Sequence, residues 1–267
     1  MVFSQMTFAS AASKVIFNQN AYRTFVDWPP EMDVRHSPYG RPDLLAVLTG
    51  SLDNQRYLQT AFPGLPVLRA RYSIDLELFH GRSEKERLIA YMPRKNRRES
   101  TQVLVQLQLR GALAGWTVVP VEGVTEVEVA DVLRRASVFL SFGHPEGFGL
   151  PPVEAMRCGC VVIGYHGLGG REYFRPPHAY PIPFGDIRQY VETVEQLLGA
   201  LETDPRPLHE RAAAASELVA REYPPERQIE EVLDAWRELL DARAAGRPVE
   251  ARRDPESGAP AAGASPD

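Results

Sequence analysis

The chain has 267 residues, of which 44% are hydrophobic and 24% charged, with a formal net charge of -5. At ~150 residues per domain this is one or two soluble globular units with a sizeable core. The mild negative balance argues against a nucleic-acid binder, and the basic run from Arg94 to Arg98 is too short to form a nucleic-acid face.

The chain opens without a basic stretch before an apolar core between Met1 and Ser13, so no signal peptide is expected. No apolar run nears the ~18 residues of a spanning helix. A cytoplasmic protein is expected, with peripheral contact at a membrane surface left open. The two cysteines, Cys158 and Cys160, are too few for a disulfide framework and suit a reducing compartment.

Lys14 to Asn20, Leu44 to Thr49 and Pro66 to Ala70 are short apolar runs bounded by Pro, Gly and polar residues. Such runs predict buried strands of a parallel sheet. The Pro-rich, charged stretch from Tyr22 to Tyr39 predicts a loop.

A second unit starts near Glu86, with strands predicted at 87–92, 116–121, 137–141, 160–164 and 179–183. Helices are predicted between them at 100–113, 125–136 and 151–158. Thr125 and Glu128 form a capping-box pattern, and Gly159 is a C-terminal stop. Three further helices are expected at 186–203, 208–221 and 226–243, separated by prolines. Residues 244–267 have little to bury and predict a disordered tail. Alternating strands and helices mean βαβ units in a doubly wound α/β fold. No internal repeat is found.

The stretch from Glu146 to Glu154 carries the chemistry. It follows a predicted strand and enters a predicted helix, where open α/β sheets bind ligands. Gly147 and Gly149 allow a ligand close to the main chain. Pro151 suits the first helical position. N–H groups at a helix start favour an anion such as a diphosphate. Glu146 and Glu154 bracket the turn, and carboxylates accept hydrogen bonds from sugar or ribose hydroxyls. A nucleotide sugar needs all of these. A glycine turn with an acidic residue that merely complements the helix dipole is an equally weighted reading of the same residues.

The order Glu146-Gly147-Phe148-Gly149-Leu150, Glu154-Ala155-Met156, Cys158-Gly159, Val161-Val162-Ile163 and Gly169-Gly170 closely resembles retaining GT-B glycosyltransferases of the E-x7-E type (family 4-like, glycosyl transferases group 1). The resemblance runs from Leu88 to about Trp236. It implies one complete Rossmann-like donor-binding domain over 81–243 and a partial N-terminal Rossmann-like half domain over 1–80, which would face the acceptor. It implies a hexosyltransferase-like transfer of sugar from a nucleotide diphosphate sugar to a sugar, glycan or lipid-linked acceptor hydroxyl, with retention and no metal or cofactor. Glu146 takes the catalytic position against the donor sugar. Gly147, Phe148, Gly149 and Leu150 take the donor loop, and Glu154 the ribose. Arg94 and Lys95 take the basic pair against the diphosphate, although Met92-Pro93 replaces the usual glycine before the arginine.

The glycine-rich loop that opens the family's N-terminal domain has no counterpart here, so no acceptor-side base is assigned. The expectation is an active enzyme, as part of a longer protein or one paired with a partner subunit. Its alternatives are a non-catalytic nucleotide-sugar-binding or partner subunit, or a fragment of a longer enzyme. A half domain would also leave a sheet edge exposed. Seven other residues have weaker claims. His144 is expected to be solvated, and His166 lies at a strand end. Glu172 is expected at a helix start near the base. Trp116 and Trp236 are expected to be core or packing residues rather than stacking platforms. Cys158 and Cys160 are expected to pack rather than hold a metal.

Overall fold

A computed structural model describes residues 12–82 and 84–249. The start of the chain and most of the expected tail, 250–267, lie outside the described residues. Among the described residues no helix is long and apolar enough to cross a membrane.

The first sheet is parallel with strand order β1 (Lys14–Asn18), β2 (Leu44–Thr49), β3 (Val67–Arg69). All three fall where apolar runs predicted them. The expected loop at 22–39 is instead punctuated by three 3-10 turns, at Ala21–Arg23, Val34–His36 and Pro38–Gly40. Asn20, Asp33 and Ser37 cap them with side-chain oxygens. The turns fold aromatic residues inward, and Tyr39 stacks on Phe62 with ring centroids 4.5 Å apart.

Helix α1 (Leu52–Ala61) was not expected. It links β2 to β3 and is capped by Ser51, whose Oγ accepts from Asn54 N. Leu58 is buried beside Val47 and Val67 on one face of the sheet. The expectation failed because α1 is mostly polar. Asn54 and Gln55 are nonetheless buried, and Gln55 Nε2 donates to Val67 O at 2.8 Å.

The second sheet has order β5 (Thr117–Pro120), β4 (Glu86–Tyr91), β6 (Ala136–Phe142), β7 (Val161–Tyr165), β8 (Tyr180–Pro181), all parallel. Side chains alternate between its two faces as strand geometry requires. Leu88, Ala90, Phe139 and Val162 pack under α3 (Glu126–Arg135), α4 (Leu150–Arg157) and part of α6 (Arg206–Glu222). Ile89, Val138, Leu140 and Ile163 pack under α2 (Arg97–Leu109) and α5 (Ile187–Thr203). This is the expected doubly wound sheet. The capping box of α3 forms in full, and Gly159 takes its left-handed φ of 79° after α4.

The last helix, α7 (Pro225–Ala244), returns to the first sheet. Its Ala235 and Leu239 pack on Ala46, Leu48 and Leu68, the face opposite α1. Both faces of the first sheet are therefore covered. A second stripe of α7, Ile229, Leu233, Trp236 and Leu240, is exposed. Trp236 thus stands on the surface, 43% exposed, contrary to the expectation of a core or packing residue. Its spacing fits a helix face, but that face is not the one α7 turns to the sheet.

Candidate functional site

In the second sheet, β4 leads outward to β5, and the chain then crosses back to β6 on the other side of β4. The carboxyl ends of β4 and β6 therefore flank the topological switch point, where open α/β sheets form a crevice. The turn after β4 carries Arg94 and Lys95, and the turn after β6 carries Glu146. Asn96 joins the two turns, its Nδ2 donating to Phe142 O at 2.9 Å and Gly143 O at 3.2 Å. Lys95 and Glu146 form an ion pair across the crevice. Arg94 is exposed on the same turn.

Glu146 is held from several sides. Its N–H donates to Gly167 O at 2.9 Å, and its carbonyl accepts from Gly169 N at 3.2 Å. Its carboxylate lies under two glycines with left-handed φ, Gly149 at 86° and Gly167 at 63°. A Cβ on Gly167 would lie 2.9 Å from Glu146 Oε1, and one on Gly149 would lie 3.3 Å from it. Side chains at either position would strike the carboxylate.

The loop that follows presents backbone donors. Among the described residues, the N–H groups of Gly147, Phe148, Gly149 and Leu150 have no hydrogen-bond acceptor. Their carbonyl side is anchored instead. Buried Tyr173 donates to Phe148 O at 2.9 Å and also to Gly149 O. The Phe148 ring is 3% exposed, within about 5 Å of the Tyr72, Tyr173 and Tyr223 rings. Phe148 therefore serves the loop through its main chain, with its side chain as the anchor. Leu150 starts α4 and is 41% exposed. Pro151 and Pro152 follow it and take no donor from the first turn.

Glu154 lies one turn into α4, partly buried, and its carboxyl has no hydrogen-bond partner among the described residues. Burial pushes its carboxyl up to about 7, with the Glu126 charge adding in the same direction. It is an unengaged acceptor beside unengaged donors. That pairing suits a ligand with hydroxyls on one part and anionic oxygens on another.

Sequence reasoning missed the other wall of the site. A Cβ on Gly147 would lie 1.8 Å from Gln19 O and 2.8 Å from Asn54 Nδ2, so the loop at 147–150 abuts the first sheet and the start of α1. Asn54 is fully buried, and its Oδ1 accepts from Ala21 N at 3.2 Å. Glu172 is not at a helix start, as expected, but ends the 3-10 turn Gly169–Glu172 and spans both halves. Its carboxylate accepts from Leu52 N at 2.8 Å, Arg69 Nη2 at 2.6 Å and Tyr223 Oη at 2.9 Å. Arg171 adds an ion pair to Asp53 at 3.2 Å. The signal for α1 was Ser51 before an Asp, but nothing local marked Glu172 as a bridge.

The weaker candidates fall outside this cluster or serve it indirectly. His144 is exposed, its ring 6.3 Å from Phe184. His166 is partly buried and accepts from Leu168 N at 3.0 Å, and burial lowers its proton affinity. Cys158 and Cys160 are buried thiols. Burial pushes Cys158 up to about 12, and Cys160 Sγ donates to Leu133 O and Ala136 O.

Comparison with known proteins gives this arrangement a context. Residues 114–214 match the family described as glycosyl transferases group 1. An alpha-1,6-glucosyltransferase of Actinobacillus pleuropneumoniae serotype 7 is 47% identical over 49 residues, covering 18% of this chain and 15% of that protein. Among solved structures, the sucrose-phosphate synthase of Thermosynechococcus elongatus superposes with a TM-score of 0.63 at 17% identity, covering 85% of this chain and 68% of that one. A TarM mutant from S. aureus, in complex with fondaparinux, alpha-GlcNAc-glycerol and UDP, gives 0.66 at 14% identity, covering 86% of this chain and 52% of that one. These likenesses establish the α/β GT-B fold. The chain spans about half of TarM and two thirds of the synthase, and its match to the curated relative is a short segment.

Proposed function

We propose, from the match of residues 114–214 to the glycosyl transferases group 1 family and from the site geometry, that the chain binds a nucleotide diphosphate sugar and transfers the sugar, with retention, to an acceptor hydroxyl. The observation that carries this reading is the convergence at the β4/β6 switch point. Lys95, Glu146, the free N–H groups of residues 147–150 and the unengaged Glu154 carboxyl all meet there. Glu154 takes the ribose hydroxyls. The loop N–H groups take the diphosphate, with Arg94 and Lys95 supplying positive charge. Glu146 takes hydroxyls of the sugar.

In the reaction, the bond between the anomeric carbon and the diphosphate oxygen breaks. The acceptor oxygen bonds to that carbon, and its proton leaves with the diphosphate. Charge grows on the leaving oxygen as the bond breaks, and preplaced cations and N–H dipoles stabilise it most at that moment. Lys95 is paired with Glu146. Arrival of the diphosphate gives Lys95 a stronger anionic partner and frees Glu146 for the sugar. The scheme calls for no metal.

The acceptor we propose is a sugar, a glycan or a lipid-linked hydroxyl. Among the described residues the first sheet has three strands, and we propose that a partner subunit contributes to the acceptor side. The exposed α7 stripe beside that sheet supports a partner there. The second reading, a partner subunit that binds donor without turnover, draws on the same three-stranded sheet.

Calorimetric titration with UDP, GDP and ADP tests the donor site, and absence of heat with all three would sink it. Glu154→Ala should weaken every nucleotide about tenfold, the worth of one hydrogen bond to a charged group. Glu146→Ala should weaken the sugar-bearing donor while leaving the bare nucleotide nearly unchanged. Donor hydrolysis or transfer to an acceptor panel then separates the enzyme from the binding subunit.

A further inference from the structure

The two apolar stripes of α7 lie ~120° apart around its axis at 3.6 residues per turn. Ala235, Leu239 and Ala242 are buried, while Ile229, Leu233, Trp236 and Leu240 are exposed. One helix cannot turn both stripes to the same sheet. Single exposed apolar side chains are ordinary on a surface, but four in an unbroken line mark a contact face.

The steps along the outer stripe are four, three and four residues, the alternation of a coiled-coil seam. Three residues beyond each end, the same line meets Glu226 in the first turn of α7 and Arg243 in the last. Both are exposed, and neither side chain forms an ion pair among the described residues. Each also complements the helix dipole. The dipole does not require them to stand in line with the stripe, and they do. The whole seam therefore runs acidic, four apolar, basic, over ~25 Å at 1.5 Å per residue.

A seam in that order is complementary to itself when reversed. A two-fold axis between Asp234 and Ala235 sets Ile229 against Leu240 of a second copy, and Leu233 against Trp236 of that copy. The same rotation sets Glu226 against Arg243 at both ends. Self-complementarity of this kind is what a two-fold interface demands. Parallel pairing would set Glu226 against its own counterpart and Arg243 against its own, and like charges repel. Charge thus selects both the partner and its direction.

We propose that the outer face of α7 is a homodimer interface, packed antiparallel on α7 of a second copy of this chain. A single-helix seam is smaller than the ~800 Å² per partner of a standard stable complex, so the dimer is concentration-dependent. The seam is made by α7 alone, so the pairing goes beyond the nucleotide-sugar reading and does not rest on it.

Sedimentation velocity from micromolar to millimolar protein tests the pairing. The parent should move from monomer toward dimer as concentration rises. Leu233→Glu, on the exposed face, should leave a monomer throughout. Glu226→Arg brings like charges together at both ends and should weaken the dimer about tenfold, the worth of two exposed ion pairs. Adding Arg243→Glu reverses both charges and should restore the parent's affinity, which no loss of fold could do. A parent that stays monomeric overturns the proposal and leaves the stripe to some other chain or segment. A dimer that survives Leu233→Glu, or a double reversal that restores nothing, overturns it as well. Titration with nucleotide keeps the two readings apart. A monomer that binds UDP overturns the pairing alone, and a dimer that gives no heat with any nucleotide overturns the donor site alone.

Discussion

Glu154 is the residue whose chemistry is most exposed to measurement. Its carboxyl titrates near 7 in the folded chain, against an ordinary value of 4.5. Folding therefore favours the protonated form. The stability this confers is complete below about 4.5 and is lost as pH rises through 7. Glu154→Gln should accordingly be less pH-sensitive in urea unfolding, and more stable than the parent at pH 8. Nucleotide binding should move the other way. Ribose hydroxyls donate better to a carboxylate, so affinity should rise with pH across 7 in the parent and stay flat in Glu154→Gln. Identical profiles for the two proteins would exclude Glu154 as the titrating group. Gly147 gives a second handle, because a methyl there would collide with the Gln19 carbonyl, a backbone atom that cannot step aside. Gly147→Ala should cost ~1–3 kcal/mol, the usual penalty of overpacking, and should loosen the donor loop from the first sheet. Calorimetry would show both effects. Glu146, Glu154 and the glycines were readable because their spacing and residue types are local. Gln19 was not, because it meets the loop through a main-chain oxygen that any residue would carry.

At the level of elements, local rules worked where they had a face to act on. The strands of the second sheet are short apolar runs, and the packed helices α3 and α5 show helical spacing and clear caps. Thr125 and Glu128 make their reciprocal bonds, with Thr125 N donating to Glu128 Oε2 at 2.8 Å. Thr125→Ala should destabilise the chain by about 1 kcal/mol. A urea midpoint shift without a change in slope would confirm it. Helix α1 defeated the same rules. Its two most informative residues, Asn54 and Gln55, are polar and buried, so its inner face does not look apolar. The polar face exists because α1 bonds to the main chain of neighbouring segments, a need no window of ten residues reveals. α7 misled in the other direction. It carries two apolar stripes, and the one containing Trp236 is outward.

Across the whole molecule, the two sheets are joined by a few concentrated contacts. Glu172 is the chief one, with partners 51, 103 and 120 residues away in sequence. Glu172→Ala would strand Arg69, whose side chain is 18% exposed. Removing one partner of a buried pair costs ~3–5 kcal/mol. The first sheet should then melt before the second, giving two transitions by near-ultraviolet and far-ultraviolet dichroism where the parent gives one. Such long-range partners explain why the fold class was legible while the seating of the two halves was not. The return of α7 has one more result, which concerns time rather than energy. The face formed by Ala46, Leu48 and Leu68 waits for Ala235 and Leu239. During synthesis the first strands leave the ribosome long before the helix that covers them. The second sheet can close around its own helices in the meantime, so the part of the chain made first is finished last.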